Sequence, residues 1–198
     1  MKIPFKICGL TREEDVELAL RFGASYLGFI MVPGTPRCIT VERARRLFAF
    51  SPLKNVLVVG SLPLTEVQRL IDVLHPAVVQ LHRNEPPEFA LSLKGARIWR
   101  AFSLETMEDV EAAASYPAEA ILADTGKGGS GRVGNWNLAR ELSKLKPVIL
   151  AGGITSQNAR EAFMRSRAKA LDCSSGVEYA PGFKDKDKLK EFATVCNQ

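Results

Sequence analysis

The sequence predicts a closed (β/α)8 barrel built as one domain over residues 1–198. Three observations carry that prediction. Short apolar runs of strand length alternate with stretches of helical period eight times along the chain. The repeating unit averages about 25 residues, enough for a strand, a helix and two short connections, and the reading finds no antiparallel hairpin signal, so parallel pairing throughout is expected. No Gly-x-Gly-x-x-Gly follows the first strand, and eight units suffice to close a sheet, which favours a barrel over an open doubly wound sheet. With 198 residues the chain stands near the small end of that fold's size range.

The first strand is the run from Phe5 through Cys8 to Gly9. Thr11 is the expected N-cap of the first helix, with Glu14 three residues on, acids in the first turn and Gly23 at the end. Residues 26–31 are apolar at successive positions between Ser25 and Pro33, as a strand covered on both faces requires. Thr40 caps a second helix to about residue 50, residues 55–59 form the third strand before Gly60, and Val67, Leu70, Ile71 and Leu74 mark the third helix. The remaining strands are predicted over 77–81, 97–101, 120–124, 147–151 and 168–173. Helices are expected over 86–93, 107–114, 138–145, 156–164 and 185–195.

Composition bounds the function. A hydrophobic fraction of 46% and a charged fraction of 25% describe a globular protein with one sizeable core. The net charge of +5 favours anionic ligands, but the basic residues are dispersed, and neither a nucleic-acid footprint nor a membrane-spanning run is expected. The N-terminus carries no apolar core of signal-peptide length, so the expected location is the cytoplasm. Cys8, Cys38, Cys173 and Cys196 lack any Cys-x-x-Cys spacing, and His75 and His82 are the two histidines, which argues against a disulfide scaffold and a metal centre.

In this fold the C-terminal strand ends share one face, so the chemistry is sought there. Strand alternation puts Lys6 and Cys8 on one face, where the ammonium would favour the thiolate and tune its pKa; on this stretch alone Cys8 reads first as a small buried hydrophobe. Asp124 shares a face with Leu122 and would point inward, either as an acid working across the mouth from Cys8 or as a cap on its own loop through Thr125 and Gly126. Gly152 and Gly153, and Ser174, Ser175 and Gly176, follow the last two strands, where backbone amides and hydroxyls suit phosphate; Asp172 stands beside them. Arg37 could fork onto a carboxylate or lie in solvent, and Gln80 and His82 close the fourth strand, His82 as an acid, a ligand contact or a solvated residue. Arg100 closes the fifth strand; Met31, Trp99 and Trp136 read as packing residues.

With these motifs in place, the sequence resembles the phosphoribosylanthranilate isomerase family. The matching stretches are residues 6–11, Gly28 to Ile30 with Pro36 and Arg37, Gln80 to His82, and Asp124 with 128–131 and Trp136. Further on they are 150–154, 172–178 and 181–185, so the match runs through nearly the whole chain in family order. The resemblance implies an Amadori rearrangement without cofactor or metal, with a phosphosugar-anthranilate conjugate as substrate and a monomer or homodimer as the working unit. It implies Asp124 as general acid, Cys8 as general base and Arg37 on the anthranilate carboxylate. It also implies Gly152, Gly153, Ser174, Ser175 and Gly176 around the phosphate, with Asp172 supporting that loop or touching the sugar. The chain departs from the family pattern at Gly60, where asparagine is more usual, at Arg83, which replaces a glycine after Gln-Leu-His, and over 131–136. These departures bear on loop closure and substrate affinity. A related phosphosugar isomerase or epimerase, and a barrel that only binds an anion or a partner, are the rival readings.

Overall fold

The computed structural model describes residues 2–51, 54–125 and 135–198. Gly126, the 128–131 glycine run and the departures at 131–134 lie outside them. Eight strands close a parallel barrel in sequence order: β1 (Phe5–Cys8), β2 (Tyr26–Met31), β3 (Asn55–Val59), β4 (Val78–Leu81), β5 (Arg97–Ser103), β6 (Ala120–Asp124), β7 (Val148–Ala151) and β8 (Ala170–Cys173). Closure comes from β8 pairing β1, with Lys6 opposite Asp172 in register.

Helices α1 (Glu13–Arg21), α2 (Val41–Phe48), α3 (Leu64–Leu74), α4 (Pro87–Ser92), α5 (Met107–Ser115), α6 (Trp136–Ser143), α7 (Ala159–Ser166) and α8 (Lys186–Asn197) follow the strands in turn. The apolar residues divide accordingly into two clusters. One, which includes Phe5, Ile7, Leu27, Phe29 and Leu171, fills the layer between strands and helices; Phe5 meets Phe192 of α8 edge-on at 5.5 Å. The other, with Cys8, Val56, Val58, Trp99, Leu122 and Ile149, fills the barrel interior. Strands buried on both faces have no polar side to alternate with, hence their continuous apolar runs. Met31, Trp99 and Trp136 are all buried packing residues.

Several boundaries differ from expectation for local reasons. Thr11 does not cap α1: its hydroxyl donates to the Gly182 carbonyl at 2.6 Å, and Arg12 occupies the cap position, reaching Asp15 with Nε and Nη2. Helix α7 starts at Ala159, because Asn158 accepts from the Thr155 amide and keeps 155–158 as a turn. Parallel pairing does not extend throughout. After β8, a 3-10 turn (Ser175–Val177) leads into an antiparallel ribbon of β9 (Glu178–Ala180) and β10 (Phe183–Lys184), turning at Pro181 and Gly182. No described helix is long and apolar enough to cross a membrane.

Candidate active site

The mouth of the barrel is built on period two. Lys6 and Cys8 point inward from β1, Gln80 from β4 and Asp124 from β6, and the strands' shared polarity brings them to one end. Lys6 is fully buried, with Nζ at 3.0 and 3.1 Å from the two carboxylate oxygens of Asp172 across the closing seam. Its positive charge also acts on the neighbouring Cys8 side chain. Burial opposes that charge, but Asp172 and Cys8 outweigh it and hold the Lys6 pKa above its ordinary value.

Gly28 on the facing strand makes this cluster fit. A Cβ there would lie 2.8 Å from Cys8 Sγ and 2.9 Å from Lys6 Cε, inside any real carbon contact. Burial pushes the Cys8 thiol up, Lys6 pulls it down, Asp172 pushes it up again, and the net shift is upward. The expected tuning by Lys6 therefore acts in the anticipated direction and is outweighed, chiefly by burial, with Asp172 adding to the upward push.

The Asp172 carboxylate is held by Lys6 across the closing seam, beside Cys8 and at the foot of the 174–176 loop. Arg37 comes from the loop after β2. Its Nε and Nη2 fork onto Glu178 of β9 at 2.9 and 2.6 Å, and Glu178 also accepts from the buried Lys184 Nζ at 2.8 Å. The fork expected to hold a ligand carboxylate is closed by Glu178, which leaves the Nη1 edge of Arg37. Burial works against the Glu178 carboxylate, yet Arg37 and Lys184 prevail and keep its pKa below the usual range. Lys184 also donates to the Cys8 carbonyl, which accepts a second bond from Ser174 Oγ at 3.1 Å. Sequence reading assigned Glu178 and Lys184 no role; the signal available was two charged residues flanking a Pro-Gly turn.

The two anion loops abut. Gly152 and Gly153 adopt left-handed φ of +92° and +67°, and Asn158 Nδ2 holds the Gly153 carbonyl at 2.9 Å. A Cβ on Gly176 would fall 2.2 Å from the Ile154 carbonyl oxygen, so the 174–176 turn seats directly against the loop after β7. Among the described residues, the amides of Gly153, Ser175 and Gly176 donate to no backbone carbonyl. They are the open donors of a joint cradle.

Gln80 lies buried with Nε2 3.2 Å from His82 Nδ1, while its Oε1 has no partner among the described residues. Desolvation, then Lys6, pushes the His82 pKa below its ordinary value. Asp124 ends β6 and its charge acts on His82 across the mouth. Arg100 is not at the mouth: it faces outward, over the rings of Phe102 and Tyr116.

A protein-family model described as N-(5'phosphoribosyl)anthranilate (PRA) isomerase matches residues 5–195. The curated N-(5'-phosphoribosyl)anthranilate isomerase of Pelobacter propionicus is 34% identical, covering 99% of this chain and 96% of its own. The crystal structure of phosphoribosyl anthranilate isomerase from Thermus thermophilus is 40% identical, superposes with a TM-score of 0.89 and covers 98% of each chain. A second crystal structure is of a phosphoribosyl anthranilate isomerase in complex with reduced 1-(o-carboxyphenylamino)-1-deoxyribulose 5-phosphate. It is 30% identical with a TM-score of 0.87, again over 98% of both chains.

Proposed function

The chain belongs to the N-(5'-phosphoribosyl)anthranilate isomerase family, and from that premise we propose that Cys8 and Asp124 are the base and acid of its reaction. Its activity is the rearrangement of N-(5'-phosphoribosyl)anthranilate to 1-(2-carboxyphenylamino)-1-deoxyribulose 5-phosphate in tryptophan biosynthesis. In our reading Asp124 gives its proton to the ribose ring oxygen, the C1–O bond breaks, and the anilino nitrogen's lone pair forms the C1=N iminium. Cys8 then takes the C2 proton, and the released electron pair makes the C1=C2 enolamine. Tautomerisation places a proton on C1 and leaves the ketone at C2.

The observation that supports these roles is the inward Cys8 thiol beside the buried Lys6, on the same barrel mouth as the inward Asp124. Phosphate would sit on the amides of Gly153, Ser175 and Gly176, with Gly152 allowing close approach and Ser174 fixing the loop to Cys8. Gln80 and His82 face the sugar, Arg37 offers Nη1 to the aromatic carboxylate, and Asp172 positions Lys6. The working unit in this reading is a monomer or a homodimer, located in the cytoplasm. The test generates phosphoribosylanthranilate in situ and follows the loss of anthranilate fluorescence. Turnover is expected; folded protein without turnover overturns the reading.

A further inference from the structure

Lys184 is a cation that the roles above leave unused, although its side chain is fully buried and its ammonium lies 2.8 Å from Glu178 Oε1. A buried ammonium destabilises the fold by several kcal/mol unless its protons find acceptors. Here all three do. They go to the Glu178 carboxylate, to the Cys8 carbonyl and, at 3.4 Å, to the Ser174 carbonyl. The acceptors belong to three separate pieces of chain: the ribbon strand β9, the end of β1 and the start of the turn after β8.

Each acceptor leads to a different part of the site. Cys8 carries the thiol, Ser174 opens the turn whose amides face the phosphate cradle, and Glu178 forks Arg37 at 2.9 and 2.6 Å. Arg37 in turn lies across the residue that follows the base: Gly9 has φ of +75°, and a Cβ there would stand 2.6 Å from Arg37 Cδ and 3.2 Å from Ser174 Oγ. A side chain at residue 9 would displace both. The lysine's own backbone is pinned as well. Its amide donates at 3.3 Å to the buried Asp15, which Arg12 also holds; the Gly182 carbonyl accepts from Thr11, and Lys188 Nζ donates to the Glu178 carbonyl at 2.9 Å. A strand of two residues is thereby tied to the first turns of α1 and α8.

On the isomerase reading above, we propose that Lys184 is the positioning residue of the site, setting the spacing between the Cys8 base, the phosphate cradle and Arg37. A substrate held at both ends must bring its C2 hydrogen to one thiol, and a misplacement of about 1 Å there costs up to about a hundredfold in rate. The ammonium also acts on that thiol through space. Cys8 is faced by Lys6, Asp172, Lys184 and Arg37; burial pushes its pKa up, and the charge of Lys184 joins Lys6 in pulling it down.

The test reads kcat and KM by the fluorescence assay, competitive inhibition by inorganic phosphate, the ultraviolet titration of the Cys8 thiolate against a Cys8→Ser control, and the folded fraction by circular dichroism. Lys184→Met should lower kcat about ten- to a hundredfold, weaken phosphate inhibition severalfold and move the thiol titration to higher pH. Lys184→Gln, which supplies two donors without the charge, should keep part of kcat while the titration still moves. Glu178→Gln leaves Lys184 its two carbonyls and should show the other split, KM raised about tenfold through Arg37 with kcat changed less. Wild-type kcat and titration in Lys184→Met overturn the inference. So does a kcat loss no greater than the loss of folded protein, which is all that a purely structural lysine gives, and so do equal shifts of kcat and KM in Lys184→Met and Glu178→Gln. In each of these cases wild-type turnover upholds the isomerase reading; folded wild type without turnover overturns both.

Discussion

Two walls of the same barrel mouth treat their charges in opposite ways. On the β1 and β8 side each buried charge has a partner: Lys6 with Asp172, Arg37 and Lys184 with Glu178, and the Cys8 carbonyl with Lys184 and Ser174. On the β3 and β4 side the backbone is stapled by Glu85, but Gln80 keeps a buried carbonyl without a described partner, and the exposed Arg83 makes no side-chain ion pair among the described residues. Low dielectric makes both choices expensive, the first through desolvation and the second through the unsatisfied Gln80 carbonyl. A base must be held at one spot through every turnover, whereas a ligand contact must be unpaired until the ligand arrives. The closed wall therefore fixes the chemistry, and the open wall selects what enters.

The largest effect should come from the reacting groups. Cys8→Ser and Asp124→Asn are each expected to lower kcat by about 10²–10⁴ with the circular dichroism spectrum unchanged. Near-normal fluorescence turnover in either variant removes that residue from its role. Because the Cys8 thiol titrates above its ordinary value, the base form is scarce at neutral pH and grows about tenfold per pH unit. The profile of kcat/KM should accordingly keep rising with pH through the usual thiol range; a plateau at neutral pH contradicts Cys8 as the free thiol base.

Next in size is the seam. Lys6→Met strands Asp172 in the interior and should cost about 3–5 kcal/mol in urea denaturation, while pairing it with Asp172→Asn should recover most of the loss. Arg83→Gln, on the open wall, should stay within about 0.5 kcal/mol of wild type. Equal costs at the two positions would erase the distinction between the walls.

The seam also shows where sequence stops being sufficient. Period-two alternation reveals that Lys6, Cys8 and Asp124 face inward, because each strand carries that information within a few residues. The partner of Lys6 lies 166 residues away, and only barrel closure and its register bring it alongside. Arg37 and Glu178, 141 residues apart, show the same limit: a loop arginine reads as open until the ribbon that neutralises it is in place. That ribbon went unread because strands of three and two residues carry no period, although Pro181 and Gly182 mark its turn. The coupling of Gly60 to Arg83 is of the same kind, two departures 23 positions apart that become one steric fact when β3 and β4 pair.

A smaller, pH-dependent effect tests the ribbon's anchor. Glu178 has a depressed pKa when folded, so the stability it confers is complete above the unfolded carboxylate value of about 4.3 and is lost as pH falls through the folded value. Glu178→Gln should destabilise by about 1–3 kcal/mol at neutral pH, and the difference from wild type should shrink in acid. A difference independent of pH would mean that Arg37 and Lys184 do not set the Glu178 titration.

The smallest effect concerns Gln80, where the two walls make opposite forecasts. If Gln80 belonged to the closed wall, replacing it would break a satisfied network and cost stability. Its Oε1 is instead buried without a described partner, and such a group destabilises the folded state by losing water without replacement. Leucine has nearly the same volume and no carbonyl to desolvate. Gln80→Leu should therefore leave urea stability unchanged or raise it by about 1 kcal/mol. Activity should move the other way: His82 loses the Nε2 partner of its Nδ1, its ring is freed to turn, and KM should rise. A stability loss with KM unaltered would put Gln80 among the structural groups and shrink the open wall to Arg83 and His82.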